Sequence, residues 1–217
     1  MTAAVKCAPR PRERIIDAAR DLFRKHGIKG IGVDAIAEAA ESNKMTLYRH
    51  FGSKDDLVFV CLQEAAAEAE AFWNDIKTTN PDDPKAQLSD WVHRAGDFIT
   101  IEHCNCELLD AAAQLVESDH PARRFVEELR ALYMKRLVEL CREAGVADAE
   151  LLVDALSLLV EGARCNWRSA GPKGAATRFV PIAQMIVADF MHHATSKIVD
   201  RLDKAEAESV VKKAAHP

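Results

Sequence analysis

Lys44, Arg49 and Lys54 place three cationic side chains within the twelve residues Asn43-Lys-Met-Thr-Leu-Tyr-Arg-His-Phe-Gly-Ser-Lys54, among the rings of Tyr48, His50 and Phe51. A short, cationic, aromatic stretch suits nucleic acid, because Lys and Arg replace the counterions condensed on a phosphate backbone. The stretch lies between two helical patterns. Ahead of it, Val33-Asp-Ala-Ile-Ala-Glu-Ala-Ala-Glu-Ser42 reads as a brief amphipathic helix ending in polar turn residues. Two short helices joined by a tight turn present one of the pair to a DNA groove. A DNA-binding regulator is therefore the leading expectation.

A second cluster, His103-Cys-Asn-Cys106, crowds two thiols and an imidazole into four residues and raises binding of a soft metal or sensing of oxidants. A four-ligand zinc site needs further ligands at matching spacing from another segment. Cys141, Cys165 and His192-His193 show no such pattern, so ordinary helix packing is favoured, and no metal ligand or cofactor is assigned. The six cysteines, Cys7, Cys61, Cys104, Cys106, Cys141 and Cys165, are scattered without a disulfide framework, and a reducing compartment keeps them as thiols. The sequence carries no glycine-rich phosphate loop, no His-Glu-x-x-His helix and no nucleophile elbow. No catalytic residue is assigned and the chain is not expected to be an enzyme. Glu161, beside Gly162 and Arg164 on an apolar helix, reads as an ion-pair or pocket group.

The elements that position the cationic stretch follow from periodicity. Pro11 suits a first helical turn. Ile15, Ala19, Leu22 and Phe23 follow at helical spacing, and Gly27 offers a stop. The second helix sets Ile36, Ala37 and Ala40 on one face. Asn43 caps the third, on which Leu47 and Phe51 share a side. Phe23, Ile36, Leu47 and Phe51 are the expected core of a three-helix head. Ser53-Lys-Asp-Asp56 matches a capping box with Asp in place of Glu, and opens a long helix through Leu57, Cys61, Ala65 and Phe72 to about Lys77. Asn80-Pro-Asp-Asp-Pro84 breaks it. Five further helices are expected near 84–102, 105–117, 120–144, 148–169 and 175–207, with Pro181 either in a first turn or at a kink. The fold class is all-α, about nine helices in total. Residues 1–54 form the arm and helix-turn-helix domain, and residues 55–217 form a helical domain for effector binding and dimerisation.

Charge supports this division. The 217 residues carry a net charge of −5. Residues 1–54 hold 11 Lys+Arg and 6 Asp+Glu, a balance of +5, and the remainder holds 18 and 28, a balance of −10. A basic head on an acidic body attracts phosphate at one end and limits adhesion elsewhere. No apolar run approaches the roughly 20 residues of a membrane span, and the N-terminus lacks the apolar stretch of a secretion signal. No membrane partner is expected, and a cytoplasmic location is.

Residues 12–62 resemble the DNA-binding head of the TetR family of bacterial repressors. The resemblance is carried by Ile15-Ile-Asp-Ala-Ala-Arg-Asp-Leu-Phe23, Gly27, Ile36-Ala-Glu-Ala-Ala40, Thr46-Leu-Tyr-Arg-His-Phe51, Ser53-Lys54 and Leu57. It implies that Asn43, Lys44, Met45 and Thr46 open the helix that faces the major groove. Lys44 would reach guanine O6/N7, Met45 a thymine methyl, and Thr46 a base or phosphate. Tyr48, His50 and Lys54 match phosphate-contacting positions, and Arg49 reaches a base edge or phosphate. The free N–H groups near Ser53 offer a further phosphate site. Two positions depart from the family pattern. Gly32-Val33 lacks a phosphate-gripping hydroxyl, and Ala40-Glu-Ser-Asn43 replaces the usual Ala-Gly-Val-Ser turn. Glu41 lacks glycine's freedom at positive φ, so a reshaped turn is expected.

A single head reads too few base pairs to specify a genomic site, so a homodimer on a twofold operator in double-stranded DNA is expected. The resemblance implies a four-helix dimer interface. Its candidate residues are Leu151, Leu152, Ala155, Leu158 and Leu159 on one helix, and Ile182, Met185, Ile186 and Phe190 on the next. From sequence alone both faces are equally readable as internal core. The resemblance also implies a pocket for an unidentified small-molecule effector. Its candidate lining is Trp91, Phe98, His103, Cys106, Leu108, Phe125, Tyr133 and Trp167. The expected function is a ligand-responsive repressor released from its operator by a small molecule. The alternative is a helical ligand carrier, or a metal- or thiol-sensing protein, with weakened or lost DNA binding.

Overall fold

The computed structural model describes residues 10–100 and 121–192, and all regular structure among them is helical, as expected. The helices are α1 (Pro11–His26), α2 (Val33–Ala39), α3 (Lys44–Phe51), α4 (Lys54–Thr79), α5 (Pro84–Thr100), α6 (Pro121–Glu143) and α7 (Ala149–Ala170). Two 3-10 turns, Gly171–Lys173 and Ala175–Arg178, follow α7. An eighth helix, α8, occupies residues 179–192. The helix expected at 105–117 lies outside the described residues, as do Cys7, His103, Cys104, Cys106 and Leu108. Among the described residues no helix is long and apolar enough to cross a membrane. The described part of the chain divides into two compact units, residues 10–74 with 121–132, and residues 75–100 with 133–192.

In the first unit, Pro11 opens α1, and the Arg10 backbone N–H donates to the Glu13 carboxylate at 2.9 Å. Ile15, Ala19 and Phe23, four residues apart, are completely buried, and Gly27 ends the helix at φ 73°. The expected head core is present: Phe23, Ile36, Leu47 and Phe51 belong to one buried cluster. Leu57, Val58, Cys61, Leu62 and Ala65 extend that cluster from α4, and Ala122 and Val126 extend it from α6. Each large side chain so buried contributes about 1.5–3 kcal/mol. Arg20 adds a polar tie between α1 and α4, with Glu68 at 2.7 Å and Glu64 at 3.4 Å. The packing boundary therefore falls within α4, well after Lys54.

In the second unit, α5 packs on α7. Its buried residues include Leu88, Val92, Ile99, Leu137, Leu140, Leu152, Leu156 and Phe179. Gly96 permits a close approach, since a Cβ there would lie 2.5 Å from Val180 Cγ2. The last helix starts at residue 179 rather than 175. Gly171, at φ 55°, ends α7, and Asn166 Oδ1 accepts the Ala176 N–H at 2.9 Å, holding residues 171–178 in tighter turns. Pro181 then falls in the first turn of α8, where its missing N–H costs nothing.

Candidate nucleic-acid interface

The third helix is held from below by Leu47 and Phe51, and this fixes which residues face outward. Asn43, Lys44, Met45, Tyr48, Arg49 and His50 are exposed, and Thr46 is half-buried. Met45 is 79% exposed, a large apolar side chain left uncovered at the start of α3. Asn43 caps that start, its Oδ1 accepting the Thr46 N–H at 2.8 Å. The helix thus orients this amide, and the side chains of Lys44, Met45 and Arg49 around it are exposed. The His50 ring lies 6.1 Å from the Phe51 ring, tilted by 59°. Arg12, from α1, stacks its guanidinium 5.5 Å from the other partner of that contact, the Phe51 ring.

The turn into α3 keeps a left-handed residue without glycine. Glu41 adopts φ 49°. The Ser42 N–H reaches back to the Ala37 carbonyl at 2.9 Å and the Glu41 N–H to the Glu38 carbonyl at 3.0 Å. This pair of bonds is a Schellman motif, a common way to close a helix. Glu41 thus takes up the positive φ that its Cβ disfavours. Two hydrogen bonds from Arg14 of α1 hold the turn from outside: Nε donates to the Ala40 carbonyl at 3.2 Å and Nη2 to the Glu41 carbonyl at 3.3 Å. These bonds offset the roughly 1–2 kcal/mol that a residue with a Cβ loses in this conformation.

Lys54 is more embedded than its expected phosphate role requires. Its Nζ donates to the Ile28 carbonyl at 2.6 Å and lies 5.9 Å from the Phe23 ring centroid. Burial lowers the pKa of its ammonium below the ordinary lysine value, against the opposing field of Asp55. An ammonium has three donors, so one bond to Ile28 leaves others for phosphate. At the start of α4, Ser53 Oγ accepts the Asp56 N–H at 3.0 Å and donates to the Asp56 carboxylate at 2.6 Å. The cap is thus built, but by a hydroxyl-to-carboxylate bond, and it occupies one of the N–H groups expected to meet phosphate. Asp55 and Asp56 add negative charge there.

Three features of this face have no signal in sequence periodicity. They are the Arg14 clamp on the turn, the Arg12–Phe51 stack and an ion pair from Lys44 Nζ to Asp34 Oδ2 at 3.2 Å. Each joins residues of different elements that are ten or more positions apart in sequence.

The other candidate groups are more dispersed. Trp91, Phe98, Tyr133 and Trp167 belong to the second unit, where Phe98 is about a third exposed (37%) and Arg136 stacks on Tyr133 at 5.8 Å. Phe125 belongs to the first unit, packed edge-on against Phe59 with centroids 5.3 Å apart. Among the interface candidates, Leu151, Leu158 and Met185 are exposed, the last two at 76% and 66%. Ala155, Leu159, Ile182, Ile186 and Phe190 are half-buried. Leu152 is completely buried within the protomer, which places it in the core of the second unit. Glu161 pairs with Arg164 at 3.7 Å. Among the described residues no three His, Cys, Asp or Glu side chains gather as metal ligands.

Residues 15–61 match the family model described as "Bacterial regulatory proteins, tetR family". The chain is 31% identical over 166 residues to the HTH-type transcriptional repressor SCO4008 of Streptomyces coelicolor, covering 75% of this chain and 80% of that one. It is 32% identical over 101 residues to the HTH-type transcriptional repressor NicS of Pseudomonas putida, covering 43% and 47%. Among solved structures, SCO4454, a TetR-family transcriptional regulator from Streptomyces coelicolor, superposes with a TM-score of 0.74 at 26% identity, over 83% of this chain and 96% of that one.

Proposed function

The chain belongs to the TetR family of bacterial transcriptional regulators, and from that premise we propose that it acts as a homodimeric repressor whose heads leave a twofold operator when a small molecule binds the body. The observation that carries the reading is the outward row of Lys44, Met45, Tyr48 and Arg49 on a helix whose other side is anchored by Leu47 and Phe51. Such a helix presents cations, a hydroxyl and a methyl-seeking side chain to a groove while its position is fixed by the core. The turn at Glu41, closed by two backbone hydrogen bonds and held by Arg14, supports the same reading, because it fixes where α3 begins.

In this reading residues 1–54 read DNA, and residues 55–217 bind the effector and the second subunit. Asn43, Lys44, Met45, Thr46, Tyr48, Arg49, His50 and Lys54 form the DNA-contacting set, with Tyr48, His50 and Lys54 on phosphate. Leu151 and Leu158, two helical turns apart on α7, expose a stripe of large apolar side chains, and Met185 exposes another on α8, which supports dimerisation through these two helices. Trp91, Phe98, Tyr133 and Trp167 supply aromatic surface in the effector-binding half. An effector releases DNA only by binding the two states with different affinity.

Gel-shift titration of the full chain with DNA from upstream of its own gene tests the proposal. Binding that weakens steeply with salt is expected, because each neutralised phosphate releases counterions. Absence of binding at any protein concentration, or binding indifferent to salt, sinks it.

A further inference from the structure

We infer that Asp34 is a specificity-determining positioning residue: its ion pair holds the Lys44 ammonium at the first turn of α3 and keeps it from acting as a general phosphate anchor. The inference rests on the DNA-binding reading above.

Asp34 is the second residue of α2, and Lys44 is the first residue of α3. Their side chains meet at 3.2 Å and are 79% and 50% exposed. An ion pair so exposed contributes little to stability, so structural support is a weak reason for it. Its location is more informative. A cation at the start of a helix is disfavoured by the partial positive charge of the unpaired N–H groups, and the Asp34 carboxylate offsets that charge. Lysine carries its ammonium on a flexible four-carbon stem with three donors. Unrestrained, that stem reaches whichever phosphate is nearest, a contact that carries no sequence information. Paired with Asp34, it is biased toward the first turn of α3, with two donors still open for the adjacent acceptors of guanine. The carboxylate also repels phosphate, so close approach is favourable only where a base edge takes up the remaining donors.

The test uses the full chain, a duplex enriched by the wild type from a randomised pool, and a scrambled duplex of equal length, each titrated over a salt series. In Asp34→Asn, Lys44 gains a phosphate contact. The slope of log affinity against log salt on scrambled DNA steepens by about 0.9, and affinity there rises by up to roughly eightfold at 0.1 M salt. Affinity for the enriched duplex does not rise in parallel, so the ratio between duplexes falls. Asp34→Glu, which can rebuild the pair, restores the ratio, and Asp34→Ser serves as a second unpaired variant. In a Lys44→Ala background Asp34→Asn leaves the ratio unchanged, any gain from the lost carboxylate being shared by both duplexes, as a double-mutant cycle requires of residues that set specificity through one another. An equal rise on both duplexes, or the same fall in ratio without Lys44, overturns the inference. If the wild type enriches no duplex, the regulator reading fails and this inference with it. If the wild type enriches one and the ratio is unmoved in Asp34→Asn, this inference alone fails.

Discussion

Lys54 Nζ donates to the carbonyl oxygen of Ile28 at 2.6 Å, tying the start of α4 to the loop between α1 and α2. The same ammonium lies over Phe23, at the centre of the head core. A hydrogen bond from a charged donor to a part-buried carbonyl contributes about 1.5–3 kcal/mol. Lys54→Ala is therefore expected to lower head stability by about that much in urea denaturation, as well as weakening binding to every DNA sequence alike. An unchanged denaturation midpoint would separate Lys54 from the fold and leave it a phosphate contact alone.

Glu41 at φ 49° supplies a second expectation. Glycine there removes the left-handed penalty of about 1–2 kcal/mol but loses about 0.5–1 kcal/mol through the freer unfolded chain. Glu41→Gly should thus be neutral to slightly stabilising by thermal denaturation, and Glu41→Val, with its branched Cβ, clearly destabilising. A stabilised valine variant would mean that the turn does not hold this conformation in solution. Glu41→Gly also removes a carboxylate beside the recognition helix, so its DNA affinity should not fall.

The contrast between Glu41 and Phe23 shows what periodicity conveys. Phe23 continues the helical spacing of Ile15 and Ala19, Ile36 shares a face with Ala37 and Ala40, and Leu47 lies four residues before Phe51, so the head core was readable from the local pattern of each helix. Pro84 and Pro121 stand at the starts of α5 and α6, near the expected positions 84 and 120, because proline is compatible with few other helical positions. Glu41 was misread because intrinsic preference disfavours positive φ, whereas the backbone bonds of Ser42 and Glu41 and the clamp of Arg14 outweigh that preference. The late start of α8 has the same origin, since Asn166 lies ten residues before the N–H it accepts. In the candidate interface the residue types of α3 were legible. The partners of Lys44 and Lys54, supplied by other elements, were not.

Gly96 tests the packing of the second unit. An added Cβ would fall 2.5 Å from Val180 Cγ2 and 3.4 Å from Phe179 Cδ1. Gly96→Ala improves helix propensity by up to about 1 kcal/mol, yet overpacking of this kind costs about 1–3 kcal/mol. A net loss of stability is expected by denaturant titration, with recovery in Gly96→Ala/Val180→Ala, which removes the obstructing methyl. Failure of the second substitution to recover stability would point to a backbone shift rather than a local clash.

The thiols should separate by chemistry. Burial pushes Cys61 and Cys141 up to about 12, whereas Cys165 is exposed. At pH 8 about one part in ten thousand of either buried group is thiolate, the reactive form. Iodoacetamide under native conditions, read by peptide mass spectrometry, should modify Cys165 before Cys61 and Cys141, and spare those two until denaturant is added. Comparable labelling of Cys61 would reveal local opening of the head core. The same shifts bear on alkaline stability. Between the ordinary value of 9.0 and about 12, unfolded thiols release protons that the folded chain retains, so this contribution to stability is intact below pH 9 and declines as pH rises through that window.

Leu158 and Met185 decide the assembly proposal, because both are large, apolar and uncovered on helices α7 and α8. Leu151 lies seven residues before Leu158, two helical turns along the same stripe. Covering one such side chain contributes about 1.5–3 kcal/mol, and twofold symmetry counts it twice. Leu158→Glu should therefore weaken a dimer by about 3–6 kcal/mol, roughly two to four powers of ten in its dissociation constant. Sedimentation equilibrium should show a shift toward monomer, with unchanged helical content by circular dichroism. Leu152→Glu is the informative contrast: its side chain is buried inside the protomer, so the expected result is loss of folding. A Leu158→Glu protein that sediments as the wild type would move the dimer contact off this stripe, and an independent loss of DNA affinity in that variant would then have to arise within the head.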